Sequence, residues 1–177
     1  MVYVALLRGI NVGSHKVKMV SLREVFEKLG FNNVQSYINS GNIFFNTEST
    51  NKQTLTPKIE DALRQELGYE VPVFLRTLKE VEAIINQRPF KDVGLTPDLR
   101  FCVTFTTKPI RTDLNFPILS SKNDIELIGV NKYEVFVVWH IIKGRPPSGK
   151  FIGEPIPKNN TTRFNHTLIK ILAAAKS

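Results

Sequence analysis

Cysteine is nearly absent from this chain, which holds a single one, Cys102, among its 177 residues. One cysteine excludes an internal disulfide bond and fits a reducing compartment such as the cytoplasm. Cys102 lies in a run of apolar and β-branched residues, which predicts a buried and unreactive thiol in a strand. A chain of this length buries about 70% of the surface that its unfolded form exposes, so it needs no covalent cross-link.

Long apolar runs are also missing. None approaches the ~20 residues that a membrane-spanning helix requires. The first residues carry their positive charge, Arg8, after the apolar stretch, whereas a secretory signal peptide carries it before. We therefore expect a cytoplasmic protein that has no membrane partner.

Recognisable catalytic and metal-binding patterns are absent as well. The three histidines, His15, His140 and His166, stand far apart and lack the spacing of metal ligands. No nucleophile turn of the G-x-S-x-G type occurs, and no pair of catalytic carboxylates can be picked out. The sequence predicts neither a metal site nor a cofactor, and it leaves open whether the protein is an enzyme.

The positive charge of the chain is unevenly distributed. The formal net charge is +8, and residues 8–18 contribute Arg8, Lys16 and Lys18 without any acid. Residues 132–177 carry eight lysines and arginines against Glu134 and Glu154, while the stretch between is nearly neutral. Two basic segments that met in space would attract phosphates. Otherwise they are solvated surfaces that keep the protein soluble.

The spacing of apolar residues predicts an α+β fold. Residues 1–76 show the order βαββαβ, which is typical of a ferredoxin-like subdomain with an antiparallel sheet and two helices on one face. Strands are expected at 2–8, 34–38, 43–46 and 71–75, the last near a sheet edge. Capping residues predict helices from Ser21 and from Thr56.

The second half of the chain shows a loosely similar order of helices and strands. Residues 77–177 are expected to form a second, similar subdomain, packed with the first as one unit. Thr77 and Glu80 are expected to cap the start of a helix, and strands follow near 100–106, 124–130 and 132–140. A final helix over about 163–175 would hold Arg163 in its first turn.

The loop after the first strand is the strongest candidate for a ligand site. The loop runs from Gly9 to Val20, and loops of about 12 residues inside a compact domain are commonly functional. Gly9 and Gly13 allow backbone N–H groups to approach a ligand, as in phosphate-binding loops, although no nucleotide-binding motif is present. Arg8, Lys16 and Lys18 would bind the charge of a phosphate-bearing small molecule. Three side chains would orient that ligand: Asn11, Ser40 and Asn42.

A second candidate lies at the expected start of the last helix. Arg163 and Thr167 there could hold an anion, and we hypothesise that Arg8 and Arg163 share one site. The alternative function is nucleic-acid binding by the basic C-terminal quarter. It is weakened by residues 40–45, which have no basic residue before Gly41 and have Asn42 at the position where an RNA-recognition motif has an aromatic ring. A protein-interaction domain without a pocket is a third interpretation, and the oligomeric state stays open.

Several segments resemble one known family. They are LLRGINVG at residues 6–13, KVKM at 16–19, YINSGNIF at 37–44, VPV at 71–73 and TTR at 161–163. Together they are similar to domain of unknown function family 1697, over essentially the whole chain. The resemblance implies a bacterial protein with two similar α+β subdomains and implies no known activity.

The resemblance also marks positions. Residues that match those the family emphasises are Arg8, Gly9, Asn11, Gly13, Lys16, Ser40, Gly41, Asn42, Thr162, Arg163, Thr167 and Lys170. The chain departs from the pattern at Ser14, where a second glycine is usual, and at Phe164, Asn165 and His166, where asparagine, tryptophan and asparagine are common.

Overall fold

The structure, a computed structural model, describes residues 1–13 and 16–176, and it shows an α+β fold with two antiparallel sheets, as the sequence predicts. The elements in chain order are β1 (Val2–Leu7), α1 (Met19–Lys28), β2 (Asn32–Ser36), β3 (Asn42–Asn46), α2 (Lys52–Leu67), β4 (Val73–Thr77), α3 (Leu78–Asn86), β5 (Leu99–Thr106), β6 (Ile118–Leu119), β7 (Ile125–Val130), β8 (Glu134–His140), β9 (Asn160–Phe164) and α4 (Asn165–Lys176). None of the described helices is long and apolar enough to cross a membrane.

The chain divides into two compact units. The first comprises Met1–Ala83 with Ile171–Ser177, and the second comprises Ile84–Lys170, so the division falls inside α3 and inside α4. The sheet of the first unit has the strand order β2-β3-β1-β4, and every pair is antiparallel. The predicted βαββαβ order and antiparallel sheet are confirmed, and β4 lies at an edge as expected.

The core of the first unit explains why this order forms. Alternate residues of a strand share one face, and Tyr3, Ala5 and Leu7 of β1 join a single buried cluster with Phe26 of α1 and Ile59 of α2. Both helices therefore cover the same face of the sheet. The apolar stripes of α1 and α2 were the sequence signal for this arrangement.

The second unit repeats the strand order of the first. Its sheet runs β6-β7-β8-β5-β9, all antiparallel. Without the two-residue strand β6, the order β7-β8-β5-β9 corresponds to β2-β3-β1-β4. Long irregular stretches, 107–117 and 141–159, stand where α1 and α2 connect strands in the first unit.

Three predicted element starts are wrong. The last helix does not begin near 163, because Asn160–Phe164 form β9 and pair with β5, and α4 starts only at Asn165. Helix α1 starts at Met19 rather than at Ser21, with no side-chain cap. Helix α2 starts at Lys52 rather than at Thr56, because the Asn51 side chain accepts a hydrogen bond from the backbone N–H of Gln53.

Candidate functional site

Asn11 stabilises the conformation of the loop that follows β1. Its amide nitrogen donates to the carbonyl oxygens of Val17 (3.1 Å) and Asn39 (3.0 Å), and its Oδ1 accepts from the Val17 N–H at 2.7 Å. Asn11 has φ +56°, a left-handed conformation that asparagine tolerates better than most residues. One side chain thus closes the loop on itself and ties it to the turn between β2 and β3.

The β2–β3 turn packs closely on the start of this loop. The Leu7 N–H donates to the Gly41 carbonyl oxygen at 2.8 Å. Gly41 has φ +70°, and a Cβ there would lie 3.0 Å from the Cβ atoms of both Leu7 and Ile10. Gly41 is therefore required both for its backbone conformation and for the close approach. The sequence-predicted residues of the loop and of the turn are brought together in the first unit.

The loop carries its cations on the surface. Arg8, Lys16 and Lys18 are exposed, and helix α1 begins at Met19, directly after Lys18. Neither Lys16 nor Lys18 forms an ion pair with any residue that the structure describes. Gly9 and Gly13 are also exposed and have φ of +78° and +60°. We call residues 8–13 and 16–18 the basic loop; Ser14 and His15, which the sequence analysis also named, lie outside the described residues.

The predicted orienting groups of the turn, Ser40 and Asn42, are hydrogen-bonded to each other. Asn42 is fully buried, and its Nδ2 donates to the Tyr37 carbonyl oxygen (3.2 Å) and to Ser40 Oγ (2.8 Å). The Tyr37 N–H in turn donates to the Asn42 carbonyl oxygen at 3.0 Å. A buried amide with these partners shapes the turn, and the ligand-orienting role of Asn42 stays a prediction. Ser40 is half-buried beside it.

Arg163 lies in a different setting from the one predicted. It belongs to β9, not to the first turn of a helix, and its side chain is buried. Its Nη1 donates to Thr161 Oγ1 (2.8 Å) and to the Thr162 carbonyl oxygen (2.9 Å), and burial lowers the pKa of its guanidinium to about 10. Thr167, in α4, is buried as well. Arg8 and Arg163 belong to different units, and their shared site stays a prediction.

Comparison with known proteins identifies the family. A family model described as "Protein of unknown function (DUF1697)" matches residues 1–136. The chain belongs to this family. The resemblance drawn from the sequence is thus confirmed, and the family description assigns no activity.

One solved structure similar to this DUF1697 protein is that of the conserved bacterial protein SP0830 from Streptococcus pneumoniae. It is 28% identical in sequence, with a TM-score of 0.69, and the match covers 97% of each chain. The similarity therefore extends over both units of the fold, including β9 and α4 beyond the residues that the family model matches. A search of curated proteins gave no match.

Asp124 is a residue of the DUF1697 protein that the sequence analysis did not single out. It is buried, and its carboxylate accepts hydrogen bonds from the backbone N–H groups of Ser148 (2.7 Å) and Gly149 (2.9 and 3.0 Å) and from Ser120 Oγ (2.7 Å). The Ser148 N–H bond is the main reason why the pKa of this carboxyl falls to about 2. Asp124 thereby anchors the loop that carries Lys143, Arg145 and Lys150, all exposed.

The described residues contain no group of three or more His, Cys, Asp and Glu side chains that could hold a metal ion. The predicted environment of the one cysteine is confirmed, since Cys102 is fully buried in β5. Burial raises the pKa of its thiol to about 12, so the reactive thiolate is strongly disfavoured.

Proposed function

We propose that this DUF1697 protein binds a phosphate-bearing small molecule at the basic loop. One observation carries the proposal: Arg8, Lys16 and Lys18 stand exposed, with no acid in residues 8–18, on a loop that Asn11 holds in place. The three cations are therefore carried by a loop whose conformation is already fixed before a ligand binds. A loop that is already held in place loses less conformational entropy when a ligand binds.

The electrostatics of the loop favour an anionic occupant. Like charges on one short loop repel each other, and an anion between them removes that repulsion. At 4 Å in water a single pair of charges is worth about 1 kcal/mol. The start of α1 adds the partial positive charge of a helix N-terminus, and the glycine backbone leaves N–H groups accessible.

Amide NMR on the isotope-labelled protein tests the proposal. Inorganic pyrophosphate is titrated at constant ionic strength, with sodium chloride as the control. We expect saturable shifts at Gly9, Asn11, Gly13 and Met19, whereas the amides of β5–β9 stay unchanged. Shifts spread evenly over all exposed lysines, or none at millimolar pyrophosphate, would exclude a phosphate site in the loop.

Nucleic-acid binding is the competing function, and the exposed cations Lys143, Arg145 and Lys150 favour it. The two functions differ in salt dependence. A protein that contacts about six phosphates loses roughly 10³-fold in affinity between 50 and 200 mM salt. Titration of labelled single-stranded RNA and DNA over that range decides: tight and steeply salt-dependent binding favours the competing function, and no binding at low salt removes it.

The compartment is part of the proposal as well. A single cysteine, buried in β5 with its thiolate disfavoured, is suited to a reducing cytoplasm but does not require one. We propose a cytoplasmic location, which fractionation of cells that express a tagged protein would test.

A further inference from the structure

A groove in the second unit has no residue of the basic loop in its lining. It runs between the segment that enters β5 and the first turns of α4, and its volume is about 660 Å³. Its apolar wall contains Leu95, Leu99, Phe101 and Ile169. Leu95 is 77% exposed and Ile169 is 46% exposed, which is unusual for large apolar side chains that border one concavity.

The charged group of the groove is Arg100. Its Nη1 donates to two backbone carbonyl oxygens, those of Pro97 (2.7 Å) and Leu99 (2.8 Å). The other edge of the guanidinium, formed by Nε and Nη2, makes no hydrogen bond to any residue that the structure describes. No aspartate or glutamate lines the groove, so nothing in its wall neutralises Arg100.

The Nε and Nη2 edge can bind a carboxylate with two parallel hydrogen bonds. Arg111 of the same unit shows this geometry, because its Nε and Nη2 donate to the two carboxylate oxygens of Asp113 at 3.0 and 2.8 Å. In Arg100 the two carbonyl contacts of Nη1 fix the plane of the guanidinium and leave that edge available. The groove thus combines apolar side chains with an arginine whose guanidinium orientation is fixed.

We propose that this groove binds a small carboxylate with an apolar body. Ligand pockets commonly measure about 300–1,000 Å³, and most have apolar walls with a few polar groups that fix orientation. Here the apolar body of the ligand would cover Leu95, Leu99 and Ile169, and its carboxylate would pair with Arg100. Charge complementarity selects an acid over a neutral or cationic molecule of the same shape.

Methyl NMR with a pair of matched probes tests this site. Protein labelled at leucine and isoleucine methyl groups is titrated with 2-naphthoate and, separately, with its neutral amide. We expect saturable shifts of Leu95, Leu99 and Ile169 with naphthoate, while the core methyl groups of Ile59 and Leu63 stay unchanged. Affinity for the amide should be about tenfold weaker, since a hydrogen-bonded charge pair is lost.

Two variants test whether Arg100 causes the preference for the acid over the amide. Arg100→Gln should bind both probes with similar affinity, whereas Arg111→Gln, which removes an exposed arginine elsewhere in the same unit, should keep the preference. Equal affinity of the parent protein for acid and amide would overturn the proposal, and that comparison needs no variant. Absence of naphthoate-induced shifts in the groove would also overturn the proposal. So would shifts of these methyl groups by a single-stranded oligonucleotide when naphthoate causes none.

Discussion

At the scale of single residues, Asn11 is the side chain on which the basic loop depends. It makes three hydrogen bonds to backbone atoms while its own backbone is in a left-handed conformation, which asparagine tolerates better than most residues. Its partner Asn39 lies 28 residues away along the chain. The sequence showed that Asn11 was a polar residue in a suggestive loop, but a local pattern cannot reveal a partner in another hairpin.

Substitution of Asn11 separates conformation from hydrogen bonding. Asn11→Gly keeps the ease of positive φ and loses the side chain, so we expect a loss of about 1–3 kcal/mol in the free energy of unfolding. Asn11→Asp should cost more than Asn11→Gly, because a carboxylate oxygen would then face the carbonyl oxygens of Val17 and Asn39. Urea unfolding measures the free energy of unfolding of both variants. An Asn11→Asp protein as stable as the parent would contradict the assigned contacts.

Asp124 offers a test that depends on pH. Its pKa in the folded protein, about 2, lies below the ordinary value of 3.8. The carboxylate therefore stabilises the fold fully above about pH 4, and this contribution is lost as the pH falls through about 2. We expect the urea midpoint of the parent to drop between pH 5 and pH 2 by more than that of Asp124→Asn, which should already be less stable at pH 7.

The control for Asp124 is Asp92→Asn. Asp92 is exposed and makes no hydrogen bond or ion pair with the described chain, so this variant should follow the parent at every pH. If Asp124→Asn shows the same pH dependence as the parent, the anchoring role of the carboxylate is wrong.

Gly149 tests the same anchor from the other side. A Cβ there would lie 2.3 Å from Asp124 Oδ1 and 2.6 Å from Ser120 Oγ, whereas a Cβ at Gly94 would meet nothing within 4 Å. We expect Gly149→Ala to lose about 1–3 kcal/mol in the free energy of unfolding, the usual cost of overpacking. Gly94→Ala is the matched control and should change little. Equal stability of the two variants would show that the loop relaxes away from Asp124.

At the scale of elements, the start of α3 shows a capping motif that the sequence predicted correctly. The Thr77 N–H donates to Glu80 Oε2 (2.7 Å), and the Glu80 N–H donates to Thr77 Oγ1 (3.2 Å). Burial raises the pKa of Glu80, but hydrogen bonds from Lys52 and Thr77 lower it more, and the net shift is downward. Lys52 is in α2, so this cap also joins two helices of the first unit.

Removal of this cap has a defined cost. Thr77→Ala should lower the free energy of unfolding by about 1 kcal/mol, the usual value for a lost N-terminal cap. Thr107→Ala, at an exposed position beyond β5, is the control and should change stability little. Urea midpoints of the two variants make the comparison. A Thr107→Ala protein destabilised as much as Thr77→Ala would show that the loss is not specific to the cap.

The strand β9 shows why the end of the chain was predicted wrongly. Leu168, Ile171 and Leu172 give a clear helical stripe, and the prediction extended that stripe back to Phe164. Thr161 and Thr162 are β-branched and favour a strand, yet their partner residues in β5 lie more than 50 positions earlier. Pairing over that distance outweighs the local pattern and buries Arg163 in a strand, whereas the prediction had placed it in the first turn of a helix.

At the scale of the whole molecule, the two units share a strand order, in line with the similar second subdomain that the sequence predicted. The first unit was predictable because α1 and α2 carry periodic apolar stripes between its strands. In the second unit irregular stretches replace those helices, and the sequence predicted only three of its five strands, β5, β7 and β8. The order is set by pairing between β5 and the distant β8 and β9.

The central claim is that the basic loop binds phosphate, and a comparison of dissociation constants for inorganic pyrophosphate tests it directly. Three proteins are compared: the parent, Lys16→Ala with Lys18→Ala, and Lys79→Ala with Lys91→Ala. The last pair removes the same charge from exposed positions outside the loop. We expect the loop variant to bind about tenfold more weakly, and the control to stay within about twofold of the parent because it leaves every cation of the basic loop in place. Equal weakening of both variants, or of neither, would contradict a phosphate site in the basic loop.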